Sequence, residues 1–236
     1  MGESISAEPS GSQPLVPTAE SSDRPADNVE PSPGGALQGE VAVLLHGLGP
    51  GAFIMRRLAR RVSQAGYETI NWSYPSLRQT IEAHAQKLHE LLGSLDARTD
   101  VKRIHLVTYS MGSIITRYAL GMGRPAKLGR IVMIAPPNRG SFWAALVGPA
   151  LRPCIRIIDQ LAARPGSFVN ELPQPDDLEI GVIAARQDLL VGCANTHLPK
   201  QTDHLVLPGL HSTIVLQRNA AQAVLQFLAA GRFTAA

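Results

Sequence analysis

The sequence contains only two cysteines, Cys154 and Cys193, among its 236 residues. So few thiols exclude a disulfide framework, and neither a Cys-x-x-C pair nor a Cys/His cluster at zinc spacing occurs. We therefore predict no metal site and a reduced, intracellular protein. A single disulfide between the two cysteines stays open.

Long hydrophobic runs are also missing. No apolar stretch approaches the roughly 20 residues of a membrane-spanning helix, and no apolar segment follows a basic start as in a secretory signal. These absences predict a soluble, cytoplasmic protein without a membrane span. The hydrophobic fraction of 44% is enough for one domain with a substantial core.

Nucleotide-binding signatures are absent as well. A glycine-rich turn, GLGPG at residues 47–51, follows an apolar run, but no lysine follows at phosphate-loop spacing and G-x-G-x-x-G does not occur. We therefore predict no cofactor. The glycine-rich turn needs another purpose.

Charge is divided unevenly along the chain. Residues 1–39 are crowded with Pro, Ser, Gly and Glu and carry a net charge of −5, which leaves +8 for residues 40–236. We predict that residues 1–39 form a disordered acidic tail and that residues 40–236 form the folded domain.

The basic excess of the body does not indicate a nucleic-acid partner. Four arginines, at positions 56, 57, 60 and 61, lie opposite Met55, Leu58 and Val62 on one predicted helix. Their spacing favours a solvated helix face. The predicted partner is a small-molecule substrate, and the oligomeric state is open.

The body alternates short apolar runs with helical patterns. Strand-like runs occur at 40–46, 70–74, 104–107, 130–135, 180–184 and 204–207. Helical patterns occur at 52–65, at 110–122 and from Asn219 to Gly231, and a further helix is predicted to begin after a capping box formed by Ser76 and Gln79. This alternation predicts an α/β fold with a mostly parallel sheet of about six strands and helices on both faces, in three αβα layers. Residues 137–178 break the alternation and are interpreted as an insertion.

Ser110 lies where a strand pattern changes directly into a helix pattern. Such a turn lifts a serine hydroxyl clear of the sheet and places it at a helix N-terminus, where unpaired N–H groups favour developing negative charge. The local sequence, Thr108-Tyr109-Ser110-Met111-Gly112, keeps one small residue of G-x-S-x-G and replaces the first glycine by threonine. We interpret it as a nucleophile elbow.

A nucleophilic serine needs a base, and the base needs an acid. Of the seven histidines, only His211 follows the last strand at the carboxyl edge of the sheet, where Ser110 is also expected. Asp188 follows the preceding strand, whereas Asp203 begins a strand and belongs at the opposite edge. The predicted catalytic residues are therefore Ser110, Asp188 and His211.

The order serine, acid, histidine resembles that of the α/β-hydrolases. LLHGLG is similar to the His-Gly oxyanion segment of bacterial lipases and esterases, TYSMGS to their elbow, and ARQD and GLHS to their acid and histidine loops. The resemblance covers residues 40–231 and implies an α/β-hydrolase fold. It also implies an oxyanion hole made by the backbone N–H groups of Leu48 and Met111. The departures from the common G-H-S-x-G-G form are Thr108 and Ser113.

The chemistry expected from these residues is carboxylic ester hydrolysis, as in esterases and lipases. A thioesterase or an amidase would use the same residues, and a non-catalytic binding module could keep the same fold. Within the insertion at 137–178, the side chains of Phe142, Trp143 and Leu146 are predicted to form an acyl-binding wall or a partial lid. Ordinary core packing is the alternative for these three residues.

Overall fold

The computed structural model describes residue 1 and residues 28–30, 37–49, 51–145, 156–164, 166–173 and 176–234. Its centre is a sheet in the strand order β1-β3-β2-β4-β5-β6-β7. The strands are β1 (Asn28–Glu30), β2 (Glu40–Leu45), β3 (Glu68–Trp72), β4 (Arg103–Tyr109), β5 (Leu128–Ile134), β6 (Ile180–Ala185) and β7 (Asp203–Leu207). β2 to β7 pair in parallel, as the sequence predicts, and only β1 pairs antiparallel, with β3.

Helices cover both faces of the sheet. They are α1 (Arg56–Gln64), α2 (Ile81–Ala97), α3 (Met111–Met122), α4 (Arg156–Gln160), α5 (Phe168–Glu171), α6 (His211–Ile214) and α7 (Arg218–Ala230). A 3-10 helix, Gly51–Met55, leads into α1. No helix in the described part of the chain is long and apolar enough to cross a bilayer.

The strands are buried on both sides, which explains their nearly continuous apolar sequences. In β2, Val41, Val43 and Leu45 join the core under α2 and α3, while Ala42 and Leu44 join the core under α1 and α7. The protein is therefore a three-layer αβα sandwich with one core on each side of the sheet.

The order in which successive strands join the sheet reverses at β2, which is therefore the switch point of the sheet. From β2 the chain crosses to β3 on one side and then returns to β4 on the other, so that β2 lies between β3 and β4. In such sheets the crevice beyond the carboxyl ends of the strands at the switch point is the usual ligand site. The loop after β2 and the turn after β4 meet at this crevice.

Two predicted helix starts are wrong. Thr80, not Ser76, caps α2, and its hydroxyl accepts from the N–H of Ala83. The hydroxyl of Ser76 instead accepts from the N–H of Gly49, in the loop after β2. The last helix begins at Arg218 after Gln217, one residue before the predicted Asn219. Several polar residues near each start could serve as caps, and tertiary contacts select among them.

The predicted disordered tail contains one short strand. β1 pairs Asn28, Val29 and Glu30 with Asn71, Ile70 and Thr69 of β3, which is otherwise the edge of the sheet. Apart from Met1, the residues before 28 lie outside the described part. The open edge of β3 supplies backbone partners to these three residues, although their segment has little apolar sequence of its own.

The segment between β5 and β6 departs from the βα alternation, as the sequence predicts. Its described part includes α4, α5 and an isolated parallel bridge between Ser141 and Ala162. Arg117 of α3 anchors both ends of this segment, because its buried guanidinium donates to the carbonyl oxygens of Asn138 and Leu172. The segment is thereby held beside the carboxyl end of β4.

Candidate active site

Ser110 occupies a strained turn between β4 and α3. Its backbone has φ 52° and ψ −122°, a conformation that non-glycine residues rarely adopt. The N–H of Ser110 donates to the carbonyl of Ile134 at 2.9 Å, and its own carbonyl accepts from the N–H of Ser113 at 3.0 Å. These contacts hold the turn, which has the strained strand-to-helix form of a nucleophile elbow.

Gly112 is required by the close approach of the helix to β2. A β-carbon at this position would lie 2.7 Å from the carbonyl oxygen of His46 and 2.9 Å from that of Leu45. Both obstacles are backbone atoms, so a larger residue would displace α3 from the sheet. The small position that the sequence retains after Ser110 is therefore a packing requirement.

Thr108 and Ser113, the two departures from the common elbow motif, contact each other. Their hydroxyl oxygens lie 2.8 Å apart, and both side chains are fully buried. Thr108 also donates to the carbonyl of Val132 at 3.4 Å. The pair occupies the positions of the two missing glycines and satisfies its own buried polar atoms.

Ser110, His211 and Asp188 form a continuous hydrogen-bonded chain. The Oγ of Ser110 lies 2.9 Å from Nε2 of His211, and Nδ1 of His211 lies 2.7 Å from Oδ2 of Asp188. Since Nδ1–H donates to the carboxylate, Nε2 is left to accept the serine proton. The three residues come from the turns after β4, β7 and β6, at one edge of the parallel sheet.

The carboxylate of Asp188 is held by several donors. Oδ2 accepts from His211, and Oδ1 accepts from the N–H groups of Leu190 and Val191 at 2.9 and 3.0 Å. Burial by itself raises the pKa of Asp188, but the hydrogen bonds and the attraction of His211 outweigh burial and lower the pKa overall. The carboxyl group is therefore ionised at neutral pH and can stabilise an imidazolium on His211.

Asp203 has a different environment. It begins β7, at the end of the strand opposite to the turn that carries His211. Its two oxygens accept from the N–H groups of His204 and Phe233. The prediction that Asp203 precedes a strand while Asp188 follows one agrees with the strand directions in the sheet.

Tyr109 is a site residue that sequence reasoning missed. Its hydroxyl donates to the backbone carbonyl of His211 at 2.9 Å, and its ring centroid lies 5.4 Å from that of the imidazole. Tyr109 thus supports the loop that presents His211. The sequence places Tyr109 directly before Ser110, but it does not indicate the contact with His211, which lies 102 residues away.

Leu48 and Met111, the predicted oxyanion-hole residues, follow β2 and β4, which are neighbouring parallel strands. The register of β2 and β4 places Leu45 opposite Thr108, and a β-carbon on Gly47 would lie 3.0 Å from that of Ser110. The N–H groups of Leu48 and Met111 form no hydrogen bond within the described residues. Met111 is the first residue of α3, where the helix itself offers no acceptor.

His46 fixes the peptide that carries the N–H of Leu48. Its Nδ1 donates to the carbonyl of Gly47 at 2.7 Å, and its Nε2 accepts from the N–H of Tyr74 at 3.4 Å. Burial lowers the pKa of His46 despite these two backbone hydrogen bonds, so the ring is neutral at pH 7. The hydrogen bond orients the Gly47 carbonyl toward the ring of His46.

A cavity of about 330 Å³ opens over Ser110. Its wall is mainly apolar and includes Trp143, Ile158 and Leu161 from the segment between β5 and β6. Of the two predicted substrate-binding residues that the structure describes, Trp143 lines the cavity and Phe142 does not. Phe142 is 64% exposed, and Leu146 lies outside the described residues.

The residues that the structure describes contain no group of three His, Cys, Asp or Glu side chains that could hold a metal ion. Cys193 is a free thiol that donates to the carbonyl of Ala185. Cys154 lies outside the described residues.

Comparisons with known proteins agree with this architecture. Residues 42–230 match the sequence model of the alpha/beta hydrolase family. The structure is similar to the mature lipase BlEst2 of Bacillus licheniformis, with a TM-score of 0.70 and 15% identity over 86% of this chain and 96% of that chain. For a lipase-esterase related protein of Clostridium acetobutylicum, the TM-score is 0.56 and the sequence identity is 17%, over 80% of this chain and 95% of that chain. For a monoacylglycerol lipase of Paleococcus ferrophilus, the TM-score is 0.57 and the sequence identity is 13%, over 80% of this chain and 94% of that chain.

Proposed function

Because the chain belongs to the α/β-hydrolase family, we propose that it hydrolyses carboxylic esters through an acyl-enzyme formed on Ser110. The observation that carries the proposal is the hydrogen-bonded chain from Ser110 through His211 to Asp188 beneath an apolar cavity. Structural neighbours described as lipases support the choice of esters over other acyl compounds.

The first half of the reaction forms the acyl-enzyme. Ser110 Oγ attacks the acyl carbon while His211 Nε2 takes the serine proton, and Asp188 stabilises the resulting imidazolium. The N–H groups of Leu48 and Met111 bind the oxyanion of the tetrahedral intermediate. Each such donor typically contributes about 10²- to 10³-fold in rate. When the intermediate collapses, the ester C–O bond breaks and His211 protonates the leaving alkoxide.

The second half releases the acid. A water molecule loses a proton to His211 and attacks the acyl carbon, and the bond to Ser110 Oγ breaks as His211 returns the proton to the serine. The products are a carboxylic acid and an alcohol, and the enzyme is restored. The acyl chain is assigned to the apolar wall of the cavity, with Trp143 in contact with it.

The proposal is tested by labelling and kinetics. A fluorophosphonate probe should modify wild-type protein once, at Ser110, and hydrolysis of 4-nitrophenyl butyrate should fall by at least about 10³-fold in Ser110→Ala. The thermal midpoint should stay nearly unchanged, because a partly exposed hydroxyl leaves little cavity. Ser94→Ala, which removes a surface hydroxyl from α2, is the matched control and should keep full activity.

Labelling of the Ser110→Ala protein, or full activity in it, would contradict the assignment. A panel of esters and thioesters of graded acyl length on the wild-type protein then separates esterase from thioesterase activity. The same labelling experiment addresses a non-catalytic binding module, which would not react with the probe.

A further inference from the structure

A second cavity, of about 560 Å³, lies beside the first. It is lined by Phe53, Ile54, Arg56, Arg57, Arg60 and Leu216, and is called the basic cavity below. The three arginines belong to the helix face whose spacing suggests only solvation. The structure places them around a concave surface together with two exposed apolar side chains, Phe53 and Leu216.

The basic cavity adjoins the active-site cavity. Ile54 lines both of them. The remaining walls come from α1, which follows the glycine-rich turn with Leu48, and from Leu216, which follows the short helix that begins with His211. The basic cavity therefore lies next to the elements that carry Leu48 and His211.

Within the part of the chain that the structure describes, no acidic side chain compensates the charge of the basic cavity. Arg56, Arg57 and Arg60 form no ion pair within the described residues, whereas Arg98 and Arg130 are each paired with acidic side chains. Among the described residues, no acidic side chain lines the basic cavity, and the guanidinium of Arg56 lies 5.7 Å from the centroid of the Phe53 ring. Neighbouring Arg61 is used differently, since it donates to the carbonyl of Gln217.

We propose that the basic cavity binds an anionic group on the leaving alcohol of the ester, so that preferred substrates are acyl esters of phosphorylated or carboxylated alcohols. Guanidinium groups recognise phosphate and carboxylate through paired charge-assisted hydrogen bonds. Phe53 and Leu216 supply apolar contacts to the carbon skeleton between the ester and the anion. This substrate class rests on the proposed ester hydrolysis by Ser110.

The reaction remains a simple hydrolysis. Water adds OH to the acyl carbon and H to the leaving oxygen, and the anionic group stays on the released alcohol. The arginines take no part in bond breaking; they hold the leaving group while His211 protonates it. Because the three cations are exposed, each contact is weak individually and is screened by salt.

The first test compares two esters with the same acyl chain. One is 3-butyryloxy-4-nitrobenzoic acid, whose phenolate leaving group carries a carboxylate, and the other is the corresponding neutral carboxamide. The ratio of kcat/KM for the anionic and neutral esters should be on the order of tenfold lower in Arg56→Gln/Arg57→Gln/Arg60→Gln than in the wild type. It should also fall in the wild type as salt is raised.

The control variant removes the same charge elsewhere. Lys87, Lys102 and Arg103 are exposed, and Lys102 and Arg103 lie at the amino end of β4, the opposite edge of the sheet. Lys87→Gln/Lys102→Gln/Arg103→Gln should keep the wild-type ratio. An equal loss in both variants, or no loss in either, would overturn the proposal. Circular dichroism and the thermal midpoint check that all proteins are folded.

A binding experiment separates this proposal from the proposed activity. Ser110→Ala protein should bind octyl phosphate more tightly than neutral octyl glucoside in calorimetry, and the arginine substitutions should remove the difference. If the protein hydrolyses neither ester but this binding difference holds, the esterase activity fails and the anion site stands. If the arginine substitutions reduce co-flotation of the protein with phosphatidylglycerol vesicles but leave the binding of monomeric anions unchanged, the basic face is a membrane contact. The proposal would then be wrong.

Discussion

At the scale of single residues, the elbow of this protein replaces two glycines by a hydrogen-bonded pair. Thr108 and Ser113 lie at the strand and helix sides of Ser110, and their hydroxyls satisfy each other in a site without solvent. The contact gives the hydroxyl of Ser113 a partner inside the protein, while the hydroxyl of Thr108 also reaches the carbonyl of Val132.

We predict that Thr108→Ala and Ser113→Ala each lower the free energy of unfolding by about 1–3 kcal/mol, because each breaks the buried hydrogen bond between the two hydroxyls. The double variant should cost less than the sum of the two, with a coupling of roughly 0.5–3 kcal/mol. Urea unfolding of the four proteins measures the cycle. Additive losses would show that the contact does not contribute to stability.

The choice between two aspartates is also a residue-scale question. We predict that Asp188→Asn lowers kcat for ester hydrolysis by about 10⁴-fold, because an amide favours the wrong imidazole tautomer and cannot stabilise the imidazolium. KM should change little. Asp203→Asn, whose carboxylate accepts from His204 and Phe233 instead, is the matched control and should affect stability alone. The reverse result would reopen the assignment of His211 as the base.

At the scale of elements, α2 carries an unusual buried histidine. His84 is fully buried against the ring of Tyr74, with centroids 4.8 Å apart, and neither ring nitrogen has a hydrogen-bond partner within the described residues. Burial, with repulsion from Lys87 and His46, lowers its pKa to about 4. The inner face of α2 therefore includes a group that has to stay neutral.

This histidine makes stability depend on pH. In the unfolded chain His84 takes up a proton below about pH 6.5, whereas in the folded protein it does so only near pH 4. Its contribution is thus fully present above about pH 6.5 and is lost as the pH falls toward 4. His204, whose pKa burial also lowers to about 4, acts in the same direction.

We predict that His84→Leu loses less stability than the wild type between pH 7 and pH 4.5. The difference should be about 2–3 kcal/mol in the free energy of unfolding, because leucine cannot take up the proton. Urea unfolding at a series of pH values measures this difference. At pH 8 the histidine is neutral in both the folded and the unfolded chain, so the difference between the two proteins at that pH reports the change in packing alone. Identical pH slopes in both proteins would contradict the argument.

At the scale of the whole molecule, the acidic N-terminal segment and the basic body are joined through β1. Residues 1–39 carry a net charge of −5 and the rest +8. Among the residues before 37, the structure describes only Met1 and β1, which pairs with the open edge of β3.

We predict that deletion of residues 1–27 leaves the thermal midpoint and the rate of ester hydrolysis unchanged, since this polar segment offers little apolar surface to the core. Deletion of residues 1–36 also removes β1, and a loss of about 1 kcal/mol would lower the midpoint by roughly 2–4 °C. Scanning calorimetry measures both. If the shorter deletion lowers the midpoint as much as the longer one, the acidic segment itself packs on the body.

The sequence by itself determined the features that depend on local patterns. The change from strand to helix periodicity located Ser110 at a turn, and strand direction in a parallel sheet separated Asp188 from Asp203 and placed His211 at the same edge. These inferences succeed because periodicity and strand polarity are properties of contiguous segments.

Tertiary structure alone decided which distant groups meet. Ser76 and Thr80 both precede α2. The N–H of Gly49, in another loop, donates to the hydroxyl of Ser76, and Thr80 is the residue that caps the helix. Likewise the hydroxyl of Tyr109 reaches the carbonyl of His211, and Leu216 completes the basic cavity beside α1. Each of these contacts joins segments far apart in the chain, and their geometry depends on how the layers pack rather than on any local preference.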